Sequence, residues 1–400
     1  MNGLCFSKGN DRMKLMKKGL VLEGGAMRGL FTCGVIDVFL ENDIRFDGAV
    51  GISAGAVFGC NYKSRQHGRP LRYNTTFCKD PRYGTFKSFL KTGDLFDVDF
   101  CYREIPEKLD VFDTEAFKND PMVFYVGATD VKSGKCVFHK CSDGGDEDMQ
   151  WMRASASMPI VSRIVQINDE LLLDGGIADS IPLQFMEEEG YDRNVVVLTQ
   201  PKGYVKEKNK LMPLIRMSLK DYPLAVDAMA KRHLVYNHQV REVERKEKNG
   251  EVFVLRPPQA LGIGRTEKDP KELRRVYELG RSEALKHLDE IKNFLSGKTE
   301  IKKEDMASRK KIRRHYHFIG TVQGVGFRFQ AMMAADQLGL TGFVRNESDG
   351  SVTMEIQGEA CEIDAAVEMI NSGRFIHIEK TEVKEITLKE GESSFSADYW

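Results

Sequence analysis

Gly19-Leu-Val-Leu22 is a short apolar run closed by the Gly24-Gly25 pair, and apolar residues return at Leu30, Val35, Ile36, Phe39 and Leu40 with the spacing of one helix face. The pattern predicts strand, tight turn and helix. Asp47–Ile52 repeats it, followed by Ser53 and the small-residue segment Ala54–Cys60. Further apolar runs at Val123–Ala128, Val137–His139, Leu171–Leu173 and Val195–Leu198 read as strands. Strands alternating with helices predict an α/β layered fold around a largely parallel sheet. Helical periodicity then fills 209–247 and 270–295 with a strand at Val252–Leu255 between them, so a mostly helical extension closes the first unit.

The pattern changes at Ser296, where a stretch rich in Lys, Arg and Glu and poor in large apolar residues reads as a solvated linker. Beyond it come a strand (His315–Ile319), a glycine-rich turn, a helix (Phe329–Leu338), strands at Gly342–Arg345 and Val352–Ile356, a helix (Cys361–Ile370) and a strand (Glu382–Leu388). That βαββαβ order predicts a ferredoxin-like α+β sandwich. The division is a disordered leader (1–17), a core (18–205), the helical extension (206–295), a charged linker (296–313) and a second domain (314–400).

Charge and cysteine content narrow the setting. The 400 residues carry 59 basic and 60 acidic side chains, so no global basic field exists to hold nucleic acid. The longest nearly uncharged apolar run, Gly48–Cys60, falls short of the roughly 18 residues that read as a membrane span. Eight cysteines without a Cys-x-x-Cys pair fit free thiols in a reducing compartment. The expectation is a cytoplasmic, unexported protein, with peripheral contact at the inner membrane surface left open.

Gly51-Ile-Ser53-Ala-Gly55 matches G-x-S-x-G between a strand and a helix, the context that exposes a serine oxygen at a sharp turn. Upstream, Glu23-Gly24-Gly25-Ala26-Met27-Arg28-Gly29 follows the first strand and opens the first helix. Its backbone N–H groups suit the single oxygen that gains charge in acyl transfer, with Gly25 and Ala26 as donors and Ala54 joining them. A rival reading takes Gly24, Ala26 and Gly29 as a degenerate dinucleotide loop with Asp43 or Asp47 on a ribose, but it explains neither Ser53 nor an acid to serve it. A serine needs a base. Of two Asp-Gly-Gly sequences, Asp174-Gly-Gly follows an apolar strand and is chosen over Asp143-Gly-Gly, which sits among acidic residues. His67 and His139 stand in polar surroundings without a clear partner.

Leu22-Glu-Gly-Gly-Ala-Met-Arg-Gly29, Gly-Ile-Ser53-Ala-Gly and Asp174-Gly-Gly, in that order, resemble the patatin-like phospholipase family over about residues 18–200. The resemblance implies a Ser–Asp dyad without histidine, in which Ser53 attacks a lipid or lysolipid acyl ester and Asp174 is the base. It also implies an oxyanion hole drawn from Gly24, Gly25, Ala26, Arg28 and Ala54. Ala26 stands where the family has a third glycine, and its Cβ restricts φ. Arg28 either neutralises an anionic headgroup or ties its own loop. The aromatic and basic residues of Phe77–Arg103 form either a packed cap or a membrane-facing lid. The segment to about residue 295, with Ala230-Lys-Arg-His233, Tyr236-Asn237 and Leu255-Arg-Pro-Pro258, is similar to the C-terminal portion of a bacterial subgroup of that family, and no function follows from those residues.

In the second domain Val322-Gln323-Gly324-Val325-Gly326-Phe327-Arg328 joins a strand to a helix. Its glycines allow a backbone curl around an anion, and Arg328 adds a guanidinium, which together make a phosphate cradle. Asn346, ending Gly342-Phe-Val-Arg-Asn346, would orient water at phosphorus. These residues resemble acylphosphatase over about residues 313–400, which implies hydrolysis of acyl phosphates to carboxylate and phosphate. Neither site calls for a cofactor or a metal. The reading is therefore a bifunctional hydrolase. Its alternatives are one catalytic domain beside an anion-sensing or packing module, or a membrane-associated binding protein with degenerate sites; the basic run Arg309–Arg314 offers a separate dock for phospholipid headgroups.

Overall fold

The structure, a computed structural model, describes residues 16–299, 311–373 and 375–398. The leader read at 1–17, apart from Met16 and Lys17, lies outside the described residues, as do 300–310 of the linker and with them Arg309 and Lys310.

The first unit runs β1 (Lys18–Leu22), α1 (Gly29–Glu41), β2 (Gly48–Ile52), α2 (Ala54–Lys63), α3 (Arg69–Phe77), α4 (Phe86–Thr92), α5 (Thr114–Asn119), β3 (Val123–Asp130), β4 (Cys136–Lys140), α6 (Asp146–Ser155), β5 (Val165–Ile167), β6 (Glu170–Asp174), α7 (Leu183–Glu188) and β7 (Arg193–Val197). It continues with α8 (Met212–Ser218), α9 (Pro223–Lys248), β8 (Val252–Leu255), α10 (Pro270–Lys286) and α11 (Leu288–Leu295). Strands β3-β2-β1-β7-β8 lie parallel in that order, and β6 and β5 extend the β3 edge antiparallel, with β4 also pairing with β3.

Alternation along the strands builds three layers. Leu20, Leu22, Ala49, Phe124, Val126, Val195 and Val197 pack with Phe31 and Phe39 of α1 and Val276 of α10. Their neighbours Val21, Val50, Tyr125 and Val196 point the other way, onto Met186 of α7 and Tyr236 and Val243 of α9. Parallel strands need such crossovers, which leaves both faces of the sheet dry. The extension is part of this body, because β8 pairs with β7 and Tyr277 of α10 donates to Asp37 Oδ2 of α1 at 2.7 Å.

The second unit contains β9 (Lys311–Thr321), α12 (Phe327–Gln337), β10 (Thr341–Asn346), β11 (Val352–Glu359), α13 (Ala360–Asn371), β12 (His377–Ile386) and β13 (Phe395–Ala397), with sheet order β12-β9-β11-β10-β13. This is the ferredoxin-like sandwich with an extra short strand; β13 and β5 carry too few residues for an alternation signal. Strand β9 begins inside the span read as linker. Its Arg313 is buried, held by Glu355 Oε2 at 3.1 and 3.0 Å and by Glu392 at 2.5 Å, while Arg314 bonds Asp364 at 2.5 Å. These two arginines of the basic run are paired with carboxylates of the second unit.

Helix α9 touches both units. Arg241 and His238 each meet Glu362 of α13 at 2.8 Å, Lys231 bonds Gln330 of α12, and Leu234 and Val235 pack against the second core.

Candidate active sites

Ser53 stands between β2 and α2 at φ 54°, a left-handed conformation that costs a β-substituted residue about 1–2 kcal/mol. Two glycines make this turn fit. A Cβ on Gly51 would come 2.5 Å from the Gly55 carbonyl oxygen, and one on Gly55 would come 2.3 Å from that of Leu22. The turn is also pinned from behind, since Ser53 N–H donates to Ser155 Oγ at 2.8 Å and that hydroxyl donates to the Gly127 carbonyl at 2.6 Å. Ser155 lies at the end of α6, and the sequence motif gives no hint of it.

Asp174 ends β6, opposite Ala128 of β3, and is 2% exposed. Its carboxylate accepts from the Gly176 N–H at 2.8 Å, and the Ser53 side chain lies near enough to stabilise its charge. Burial raises its pKa, while the Arg232 charge, the Ser53 side chain and the Gly176 hydrogen bond pull it down; burial prevails. Arg232, on α9, donates through Nε to the Gly176 carbonyl. The helical extension thus supplies a cation to the acid, a part that the sequence reading left without a function. Asp143 is exposed and caps its own loop through Gly145 N–H at 2.9 Å.

The glycine-rich loop lies directly against the serine. A Cβ on Gly24 would meet Ser53 Cβ at 2.9 Å, and one on Gly25 would meet Thr199 Oγ1 at 2.6 Å. Behind the loop the buried Glu23 accepts from Thr199 N–H at 2.5 Å and from Tyr236 hydroxyl at 2.9 Å. Ala26 sits at φ 49°, the conformation its missing glycine would have taken without strain. A 3-10 turn opens at Ala26 and α2 opens at Ala54, and first-turn N–H groups have no acceptor within their own helix. Arg28 Nε is buried without a hydrogen-bond partner.

A cavity of about 390 Å³ opens at Ser53. Its wall is mainly apolar, including Phe58, Tyr83, Phe96, Ile105, Met152 and Val161, and its size lies within the ordinary range of ligand pockets. The Phe77–Arg103 stretch is partly packed and partly exposed. Phe77 packs on Phe100 and Tyr83 on Phe96, with ring centroids 5.5 and 5.3 Å apart, whereas Phe86 and Leu90 of α4 are 68% and 72% exposed.

Neither alternative histidine is idle: His67 pairs with Glu41 at 2.6 Å, and His139 with Asp148 at 2.7 Å. His139, Cys141 and Asp148 present their ligand atoms within 4.8 Å of one another. The second Asp148 oxygen already accepts the N–H groups of Ser142, Asp143 and Gly144 at 2.9, 3.0 and 2.7 Å, so the cluster is explained as a loop clamp. Of the two rival ribose acids, Asp47 accepts the Lys18 N–H at 2.7 Å and Asp43 pairs with Arg45 at 2.7 Å. Each free cysteine among the described residues, Cys33, Cys60, Cys78, Cys101, Cys136, Cys141 and Cys361, has its thiol pKa pushed up by burial.

In the second unit Gly324 and Gly326 adopt φ 71° and 84°, and Gly326 caps α12, so Val325, Phe327 and Arg328 sit on a curl at the helix start. Gln323 Nε2 donates to the carbonyls of Glu347 and Ser351 at 2.7 Å each, which ties the curl to the turn after Asn346. Asn346 closes β10 opposite Val352, and Arg328 Nη1 donates to the Asp398 carbonyl at 3.3 Å. Phe327 packs inward against Phe318 with centroids 5.0 Å apart.

A layered α/β body with a serine on a strained strand–helix turn is joined to a sandwich with a glycine-rich curl at a helix start. Family comparison agrees. Residues 20–186 match the patatin-like phospholipase model, 222–296 a domain of unknown function, and 314–397 the acylphosphatase model. The chain belongs to the acylphosphatase family through its C-terminal part and carries a patatin-like phospholipase domain ahead of it. It is 40% identical over 82 residues to an acylphosphatase of Oceanobacillus iheyensis, covering 20% of this chain and 90% of that one. It is 28% identical over 283 residues to the Escherichia coli protein YjjU, covering 66% of this chain and 74% of that one. Lysophospholipase NTE1 of Coccidioides immitis is 27% identical over 315 residues, covering 74% of this chain and 19% of that protein. No helix among the described residues is long and apolar enough to cross a membrane.

Proposed function

We propose that the chain is a bifunctional hydrolase, an acyl-ester hydrolase acting through Ser53 and Asp174 and an acylphosphatase acting through Arg328 and Asn346. The observation that carries the first part is the strained Ser53 turn at the mouth of an apolar cavity, with the buried Asp174 carboxylate close enough to feel the serine side chain. Ser53 Oγ attacks the ester carbonyl carbon and passes its proton to Asp174. The oxyanion is held by N–H groups of Gly25, Ala26 and Ala54, in a loop that Gly24 seats against Ser53. The alcohol leaves with the proton from Asp174, and water attacks the acyl-enzyme with Asp174 again as base, releasing the carboxylic acid and restoring Ser53. The substrate is a lipid or lysolipid ester whose chain fills the cavity. Helix α4, with exposed Phe86 and Leu90 flanked by Lys87 and Lys91, leads into the cavity wall at Leu95 and Phe96 and suits an anionic lipid surface.

In the second site the curl from Gln323 to Phe327 and the Arg328 guanidinium hold the phosphate of an acyl phosphate. Asn346 orients a water that attacks phosphorus, and the carboxylate leaves. The test is hydrolysis of a medium-chain p-nitrophenyl ester and of an aromatic acyl phosphate by the wild type, Ser53→Ala and Arg328→Ala. Each substitution is expected to abolish its own reaction and spare the other. Ester hydrolysis that survives Ser53→Ala, or acyl-phosphate hydrolysis that survives Arg328→Ala, refutes that half of the reading.

A further inference from the structure

Gly24 and Gly25 have no side chains to anchor the loop beside Ser53, so its position comes from neighbours. The loop is clamped between two of them: a Cβ on Gly24 would meet Ser53 Cβ at 2.9 Å, and one on Gly25 would meet Thr199 Oγ1 at 2.6 Å. Thr199, just past β7, is buried and donates from Oγ1 to the Gly24 carbonyl at 2.9 Å. The residue at the head of the loop, Glu23, is 3% exposed. Its N–H donates to the Val197 carbonyl at 3.1 Å, its Oε2 accepts the Thr199 N–H at 2.5 Å, and its Oε1 accepts the Tyr236 hydroxyl at 2.9 Å. Tyr236 is buried too, on α9, 213 positions away and inside the 222–296 match to a domain of unknown function. A buried carboxylate is costly unless its oxygens are bonded, so these contacts peg the head of the loop to β7 and to α9. Arg232, one helical turn before Tyr236, meets the Gly176 carbonyl beside Asp174. One face of α9 thus reaches both the acid and the glycine-rich loop.

We propose that Tyr236 is a positioning residue for ester hydrolysis: through its hydrogen bond to Glu23 it holds the N–H groups of Gly25 and Ala26 where the oxyanion forms. The proposal rests on the Ser53 acyl-hydrolase reading, and it gives the helical extension a part in that reaction. Preorganised donors stabilise a transition state only while they stay within about 0.5 Å of the productive geometry. Without the Tyr236 hydroxyl, Glu23 Oε1 is left buried and without that donor. The carboxylate then turns to find another, and the head of the loop moves with it. Neither Glu23 nor Tyr236 lines the Ser53 cavity, so the acyl chain binds as before and the loss falls on the chemical step.

The experiment uses the full chain and three readouts. These are kcat and KM for a medium-chain p-nitrophenyl ester, the Ki of a straight-chain alkyl trifluoromethyl ketone, and the urea unfolding midpoint. The ketone forms a hemiketal on Ser53 whose oxyanion stands where that of the reaction does. Tyr236→Phe keeps the ring and removes only the hydroxyl. It is expected to lower kcat by about tenfold or more, to leave KM within about twofold, and to weaken the ketone in step with kcat. Glu23→Gln is expected to act likewise. The double variant should lose no more than the worse of its two single variants, because both break one link. A lowered urea midpoint with kcat and ketone affinity unchanged in Tyr236→Phe makes the contact merely structural and overturns the proposal. A double variant whose loss is the product of the two single losses overturns it as well. If Tyr236→Phe does not fold, Glu23→Gln decides by the same kcat and ketone criteria, since it alters the same hydrogen bond. A wild type that hydrolyses no ester overturns the Ser53 reading and this proposal with it, whereas wild-type turnover that Tyr236→Phe matches overturns this proposal alone.

Discussion

Arg232→Gln tests whether the helical extension tunes the acid of the ester site. Arg232 Nη2 and Asp174 Oδ1 lie 3.2 and 3.1 Å from the point where a Gly176 Cβ would stand, so the two atoms are no more than about 6 Å apart. At an effective dielectric near 20, unit charges about 6 Å apart attract by about 3 kcal/mol, equivalent to about two pKa units. Asp174 must be ionised to accept the serine proton, and burial already raises its pKa. Removing the guanidinium raises it further. The acid limb of the kcat/KM profile for a p-nitrophenyl ester should therefore move up by about two pH units, with activity lost on the acid side and nearly regained on the alkaline plateau. Arg232→Lys should keep the limb close to its original place. A limb that stays put in Arg232→Gln, or a uniform loss at every pH that Arg232→Lys does not repair, would show that Arg232 only props the Gly176 carbonyl.

Three further outcomes follow from backbone strain and buried charge. Ala26→Gly should relieve the φ 49° strain and, after the entropy cost of glycine, raise stability by about 0.5–1 kcal/mol in urea unfolding; a loss of stability would contradict the strain argument. Gly326→Ala imposes a side chain at φ 84° on the phosphate curl at a cost of about 1–2 kcal/mol, and should raise KM for acyl phosphate while leaving ester hydrolysis alone. Glu392→Ala takes from the buried Arg313 one of its two carboxylates and should destabilise the second unit by about 2–3 kcal/mol at neutral pH. Burial raises the pKa of Glu355 and of Glu392, but hydrogen bonds and charge, Arg313's among them, win and hold both below the ordinary value. Their stabilisation is thus present above the unfolded carboxylate pKa and is lost as pH falls through the lowered folded values. The difference between wild type and Glu392→Ala should shrink below about pH 4, and a difference independent of pH would refute the ion-pair account.

Local pattern was enough to read the α/β alternation, the βαββαβ order and the strand at Val252–Leu255, because a dry face leaves a period of two or 3.6 in the chain itself. The candidate chemistry was readable for the same reason. A serine on a strand–helix turn needs small neighbours at fixed offsets, as Gly51 and Gly55 show, and a tight curl of backbone needs glycines where φ is positive, as Gly324 and Gly326 show. Strands of three residues, β5 and β13, were not readable, since three residues cannot display an alternation.

Contacts between residues distant in sequence leave no local trace. Arg232 reads as one more polar residue of a long helix until α9 packs across the sheet and brings it to Gly176, 56 positions away. Ser155 reads as the end of a helix until it stands behind Ser53, 102 positions away. Arg313 reads as part of a solvated basic run until Glu355 and Glu392 close on it inside a sheet. Hydrophobic period and backbone φ are properties of neighbours along the chain and can be written there. Which charge faces which carboxylate depends on how layers register against each other, and that is settled only when the layers meet.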